Sequence, residues 1–153
     1  MHGSASEPEF EVFAADVRPR LVRAFVPSRG VDGAADAAAE ALAYAFEHWD
    51  RVRGMENPAG YLYRVGQSRT RVRQLLRLPV PESVGLPDVE PGLIPALLQL
   101  PETQRTAVWL VHACDWRYAE VAEAMETSIS MVGNHVSRAL EALRRALEVD
   151  AHA

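Results

Sequence analysis

Three groups of residues in this chain have types and spacings that suit chemistry with other macromolecules. Near the carboxy terminus stand Ser130, Met131, Asn134, His135 and Arg138. An asparagine amide pairs with adenine, an arginine holds phosphate or guanine, and a methionine side chain touches a thymine methyl, so this group suits duplex DNA. Tyr61 and Tyr63 precede or accompany Arg64, Arg69, Arg71, Arg73 and Arg77, with no acid between Asn57 and Pro81. Rings among guanidinium groups stack on unpaired bases and follow a phosphate backbone. Asp36, Glu40 and Glu47 form an acidic stripe suited to a basic protein surface. Each group also has a plainer account: amphipathic helices turn polar residues outward, tyrosines pack, and acidic stripes face water. Glu120, Glu123, His112 and His135 lack a recognised metal spacing such as His-Glu-x-x-His. Glu120 and Glu123 read more simply as exposed helix residues, so the chain is not expected to be an enzyme.

The elements that must position these groups are all helical. Phe10, Phe13, Val17, Leu21 and Phe25 recur at three- and four-residue steps over about 10–26, where Pro19 should bend or restart a helix. Ala35, Ala38, Ala39, Leu42, Ala45, Phe46 and Trp49 mark the inner face of the next, with the acidic stripe beside it. Asn57-Pro58 begins a third, since proline fits a first helical turn where its missing amide is harmless. Its buried stripe is Leu62, Val65, Val72, Leu75 and Leu76. Farther on, Leu100-Pro101 opens a helix to about His112, 119–125 form another, and Ser128 is placed to cap a last one to about Leu147. Val132, Val136, Ala139, Leu140, Leu143 and Leu147 are its inner face. A short helix, a turn and a longer helix make a helix-turn-helix.

Between Leu78 and Pro101 lie Pro79, Pro81, Pro87, Pro91 and Pro95 with Glu82, Asp88 and Glu90. This stretch reads as a flexible linker over 78–99, within which a short helix is expected to start over Leu93 to Leu98, joining a domain over 8–77 to one over 100–149. The expected fold is all-α, with two small helical domains. The net charge of −5 divides as +1 over residues 1–77, −3 over 78–99 and −3 over 100–153. Free-standing DNA binders usually carry a basic excess, so this chain should hold DNA weakly alone. All sixteen basic residues are arginine, which a GC-rich genome produces without any function. Cys114 is the single cysteine, read as a small buried or half-buried residue in a reducing compartment. No membrane span or secretion signal is legible, and a cytoplasmic location is expected.

With these residues in view, the chain resembles the extracytoplasmic-function group of bacterial sigma factors in the sigma-70 family. The likeness runs from Phe10 to Leu147. Ala35-Asp36, Glu40, the run from Ala45 to Arg53 and Asn57 to Val65 resemble the family's second conserved region. Leu100-Pro101, Arg105, Glu120-Val121-Ala122, Ser128, Val132, Asn134-His135-Val136 and Arg138-Ala139 resemble its fourth.

The resemblance implies roles that periodicity does not supply. Asp36, Glu40 and Glu47 would dock on the coiled-coil of the largest subunit of core RNA polymerase. Asn57, Tyr61, Arg64, Ser68, Arg69 and Arg71 would lie along the melted minus-ten element of promoter DNA. Ser130, Met131, Asn134, His135 and Arg138 would enter the major groove at the minus-thirty-five element. No cofactor or catalysis is implied, and an anti-sigma factor wedged between the domains is a third partner. Three positions depart from the family pattern: Ser68 replaces an asparagine, Glu126 a glycine and Gly133 a basic residue. Two readings therefore stand: a promoter-directing sigma factor, or a sigma-like regulator or decoy with weakened DNA contact.

Overall fold

Alanine-rich stretches let helices approach closely, and the first unit is built on one. The structure is a computed structural model that describes residues 6–75 and 92–152, with side chains over 6–69 and 92–148. The chain separates into two compact units, Met1–Glu82 and Ser83–Ala153. The described residues are helical apart from short connections, with no strand among them.

In the first unit, helix α1 (Ser6–Glu47) is broken into two limbs at Gly30, whose φ of 72° and ψ of 178° leave the helical region. That backbone conformation is open in practice to glycine alone. A Cβ there would meet nothing within 4 Å, so conformation, and not space, sets the residue. The restart expected at Pro19 does not occur; the chain stays helical through Pro19 and Pro27. Val17, Leu21 and Phe25 are buried on the first limb. On the second limb the core residues are Ala34, Ala37, Ala38, Ala41 and Ala45. The expected inner face holds at Ala38 and Ala45 but is misphased elsewhere: Ala35 is half-buried, Ala39 exposed and Phe46 56% exposed. Alanines on nearly every side of a helix carry little phase information, and the aromatic residues misled. Phe46 instead joins Phe10, Phe13 and Trp49 in a partly exposed ring cluster, with centroids 5.0–5.3 Å apart for Phe10–Phe46, Phe10–Trp49 and Phe13–Trp49.

After the short α2 (Trp49–Val52), α3 (Pro58–Leu75) starts at the expected proline and packs on both limbs. Tyr63 stacks on Phe25 at 4.8 Å and 11°. A Cβ on Gly66 would lie 2.4 Å from Phe25 Cζ and 3.0 Å from the Ala37 carbonyl oxygen, so glycine is required for this approach. Arg29, beside the break, donates from Nη2 to Gln67 Oε1 (2.6 Å) and to the Gln67 carbonyl (3.0 Å), and Gln67 donates to the Tyr63 hydroxyl at 2.8 Å. Leu62 is buried and Val65 half-buried. The expected inward side chains of Val72, Leu75 and Leu76 lie outside those described, as does the stretch 78–91.

The second unit begins earlier than expected. Helix α4 (Leu93–Gln99) is part of it: Ala96, with Leu100, Val108, Ala139 and Leu143, forms a core against which Leu93 and Leu97 pack. The linker expected to run to 99 therefore ends before Leu93; Pro95 falls in the first turn of α4, where proline is tolerated. Helix α5 (Glu102–Val108) passes into a π turn, Trp109–Ala113, in which the Cys114 amide bonds the Trp109 carbonyl five residues back at 3.1 Å. Cys114 is half-buried. Asp115 has φ of 56°, and Trp116 behind it is buried.

Helix α6 (Tyr118–Met125) ends at Glu126 in the left-handed region, φ 53° and ψ 46°. The Thr127 amide bonds the Ala122 carbonyl at 3.0 Å and the Glu126 amide the Glu123 carbonyl at 3.4 Å, a helix stop in which glycine is usual. Helix α7 (Ile129–His152) follows, capped as expected: Ser128 Oγ accepts the Met131 amide at 3.1 Å, worth about 1 kcal/mol. Val132, Val136, Ala139 and Leu143 are buried, but Leu140 is 37% exposed, at the margin of that face.

Candidate nucleic-acid interfaces

In the first unit the acidic stripe divides. Asp36 and Glu47 are exposed, whereas Glu40 is half-buried and faces α3, its Oε2 3.9 Å from Arg69 Nη1. One turn further along the same limb, Tyr44 stacks on His48 at 4.2 Å and 19°, and its hydroxyl is 3.0 Å from that of Tyr61 on α3. Arg69 lies over the Tyr44 ring at 5.1 Å, and Arg51 and Arg64 each lie 5.6 Å from the Tyr61 centroid. These separations are within reach of cation–π attraction. Two tyrosines thus carry three guanidinium groups on one face. The hydroxyl bond to Tyr44, then burial and the neighbouring Tyr44 charge, push the Tyr61 phenol above its ordinary value, against the lowering pull of Arg51 and Arg64.

Of the residues expected along a strand, Tyr61 and Arg64 are half-buried in this cluster, and Ser68 and Arg69 are exposed on the same helix. Asn57 is half-buried immediately before it, its carbonyl accepting the Tyr61 amide at 3.2 Å. Arg71 belongs to α3, with its side chain outside those described. Tyr63 is not available for stacking on a base; it is core, 5% exposed. Tyr44, His48 and Arg51 were missed as members. Their signal was present, since positions 44, 48 and 51 recur at helical steps.

In the second unit Ser130, Met131, Asn134 and Arg138 are exposed along the first turns of α7, with Ile129 beside them. Asn134 Nδ2 approaches Met131 Sδ at 3.9 Å, so the two side chains are neighbours. His135 departs from the outward group: it is half-buried, and its Nδ1 is shielded without a hydrogen-bond partner. Glu120, expected to be exposed, is buried: its Oε1 accepts the Arg117 amide at 3.0 Å and lies 3.5 Å from Arg117 Nε. The carboxylate closes the first turn of α6, where it also complements the helix dipole. Glu126 adopts the left-handed conformation itself, so the turn between α6 and α7 is kept without glycine. Gly133 has room for a side chain, the nearest atom to a Cβ being Tyr118 Cε2 at 3.7 Å.

Residues 93–143 match the family model for sigma-70, region 4. This segment covers the helix-turn-helix and includes α4. The whole chain is similar in fold to the sigma factor RpoE of Bartonella quintana, solved in complex with the anti-sigma factor NepR, with a TM-score of 0.64 and 23% identity over 97% of this chain and 99% of that one. No curated protein sequence matches the chain.

Proposed function

We propose that the chain is a sigma factor of the extracytoplasmic-function group, a subunit without catalysis of its own that binds core RNA polymerase and directs initiation at its promoters. The observation that carries this reading is the exposed row Ser130, Met131, Asn134 and Arg138 at the capped start of α7, inside the segment that matches sigma-70 region 4. In this reading the row meets the minus-thirty-five element in the major groove, with His135 behind it. Asn57, Tyr61, Arg64, Ser68, Arg69 and Arg71 meet the separated minus-ten strand. Asp36 and Glu47 are the acidic contacts to polymerase, joined by Glu40 when it leaves Arg69. No helix among the described residues is long and apolar enough to cross a membrane, in keeping with action beside the polymerase in the cytoplasm. Because the similar RpoE structure is a complex with an anti-sigma factor, a protein of that kind is the third partner we assign.

The test is binding of the purified chain to core polymerase, followed by transcription from a promoter library selected in its presence. Asp36→Arg with Glu47→Arg should abolish both, and these two report docking more cleanly than Glu40, which has an internal partner. Binding without promoter-specific transcripts would replace this reading with a regulator that only docks.

A further inference from the structure

The face shared by the second limb of α1 and α3 contains one residue to which neither the resemblance nor the matched family segment gives a task. Tyr44 sits on the limb with the acidic stripe, not on the helix with the strand-facing arginines. Yet it meets His48 at 4.2 Å through its ring, Tyr61 at 3.0 Å through its hydroxyl and Arg69 at 5.1 Å over its face. Tyr61 in turn lies under Arg51 and Arg64, each 5.6 Å from its centroid. A flexible arginine loses rotamer freedom when it grips a phosphate, and an aromatic surface that already restrains it lowers that loss.

From this we infer that Tyr44 is a positioning residue for single-stranded nucleic acid: its hydroxyl fixes the Tyr61 ring, its face holds Arg69, and through Tyr61 it sets Arg51 and Arg64. The inference rests on the reading of α3 as the strand-binding helix. It adds that the limb presenting the acidic stripe also aligns the strand-binding side chains. Tyr44 need not touch the strand. Its two parts act separately, the hydroxyl on Tyr61 and the ring on Arg69, so two substitutions distinguish them.

The experiment uses the full chain and a fluorescent, mixed-sequence single-stranded deoxyoligonucleotide, with affinity measured over a range of salt. Tyr44→Phe removes the hydroxyl bond and keeps the ring; affinity should fall about three- to tenfold with the salt slope unchanged. Tyr44→Leu also removes the platform under Arg69, and the slope should become shallower by about 0.7, the loss of one phosphate contact. In the phenol absorbance titration of Tyr44→Phe, the Tyr61 transition should move down towards the ordinary value. Phe25→Leu loosens the same unit away from this face and should leave the affinity of the folded chain unchanged. If Tyr61→Leu weakens binding while both Tyr44 variants bind like the wild type, or if Phe25→Leu weakens it as much as they do, the positioning role is overturned. If Tyr61→Leu itself binds like the wild type, it is the strand-binding reading of α3 that fails, and the role of Tyr44 falls with it.

Discussion

Glu126 holds a left-handed backbone, a conformation in which any residue with a Cβ is penalised and glycine is not. Replacing it by glycine should stabilise the second unit by about 1 kcal/mol, read as a rise in melting temperature, because the Cβ penalty in that region disappears. Tyr61 gives the first unit a pH dependence of definite sign. Its phenol is raised from 10.0 in the folded chain, first by the bond to Tyr44, so the unfolded chain loses the proton first as the solution becomes alkaline. The resulting stabilisation is whole below pH 10 and is lost as pH climbs through the folded value. Thermal melts should therefore fall more steeply above that pH in the wild type than in Tyr61→Phe. Single residues were unevenly legible. Ser128 declared itself as a cap because its hydroxyl acts within one turn. Gly66 did not, because its need for glycine arises from Phe25 and Ala37, distant in sequence. Glu120 was misread for a related reason: its burial depends on what covers the start of α6, while its local bond to Arg117 follows from three-residue spacing.

Among the elements, α7 carries the strongest expectation. Gly133 lies inside it, and a Cβ there would make only an ordinary contact, 3.7 Å from Tyr118 Cε2, so Gly133→Ala should add up to about 1 kcal/mol of helix stability. Gly133→Arg adds a cation as well. It should raise promoter affinity and steepen the salt dependence by about 0.9 in logarithmic slope, whereas Gly133→Ala should leave that slope alone. An unchanged slope in the arginine variant would remove this part of α7 from the DNA. Helix identity was easier to read than helix phase. The apolar residues of α7 alternate with charged ones and fixed its inner face except at Leu140. Alanine in the second limb of α1 left the face ambiguous, and Phe46 and Trp49 drew it toward a peripheral cluster. The short helix expected over Leu93 to Leu98 is there as α4, but the proline-rich composition around it hid that Ala96, Leu93 and Leu97 serve the core of the second unit.

For the whole molecule, the proposed function makes charge decide how it reaches DNA. A net charge of −5, with −3 in residues 100–153, leaves little counterion release to the chain alone. Binding of the free chain to promoter duplex should be weak, with a logarithmic salt slope of no more than about two, and should become both tighter and steeper when core polymerase is added. Anisotropy titrations with and without core polymerase measure this directly; equal slopes would mean that the chain supplies the phosphate contacts itself. Division into two helical units was legible from proline and acid content, and the exposed row on α7 from its helical spacing, but the limb break at Gly30 was not. The π turn at Trp109–Ala113 has a last consequence. It accommodates one residue more than an α turn would, so deleting a single residue there would tidy the local hydrogen bonding while rotating everything downstream by about 100°. On the proposed function, a chain shortened in this way would keep its helical content and still be deaf to promoter DNA, which makes that surplus residue a setting of aim.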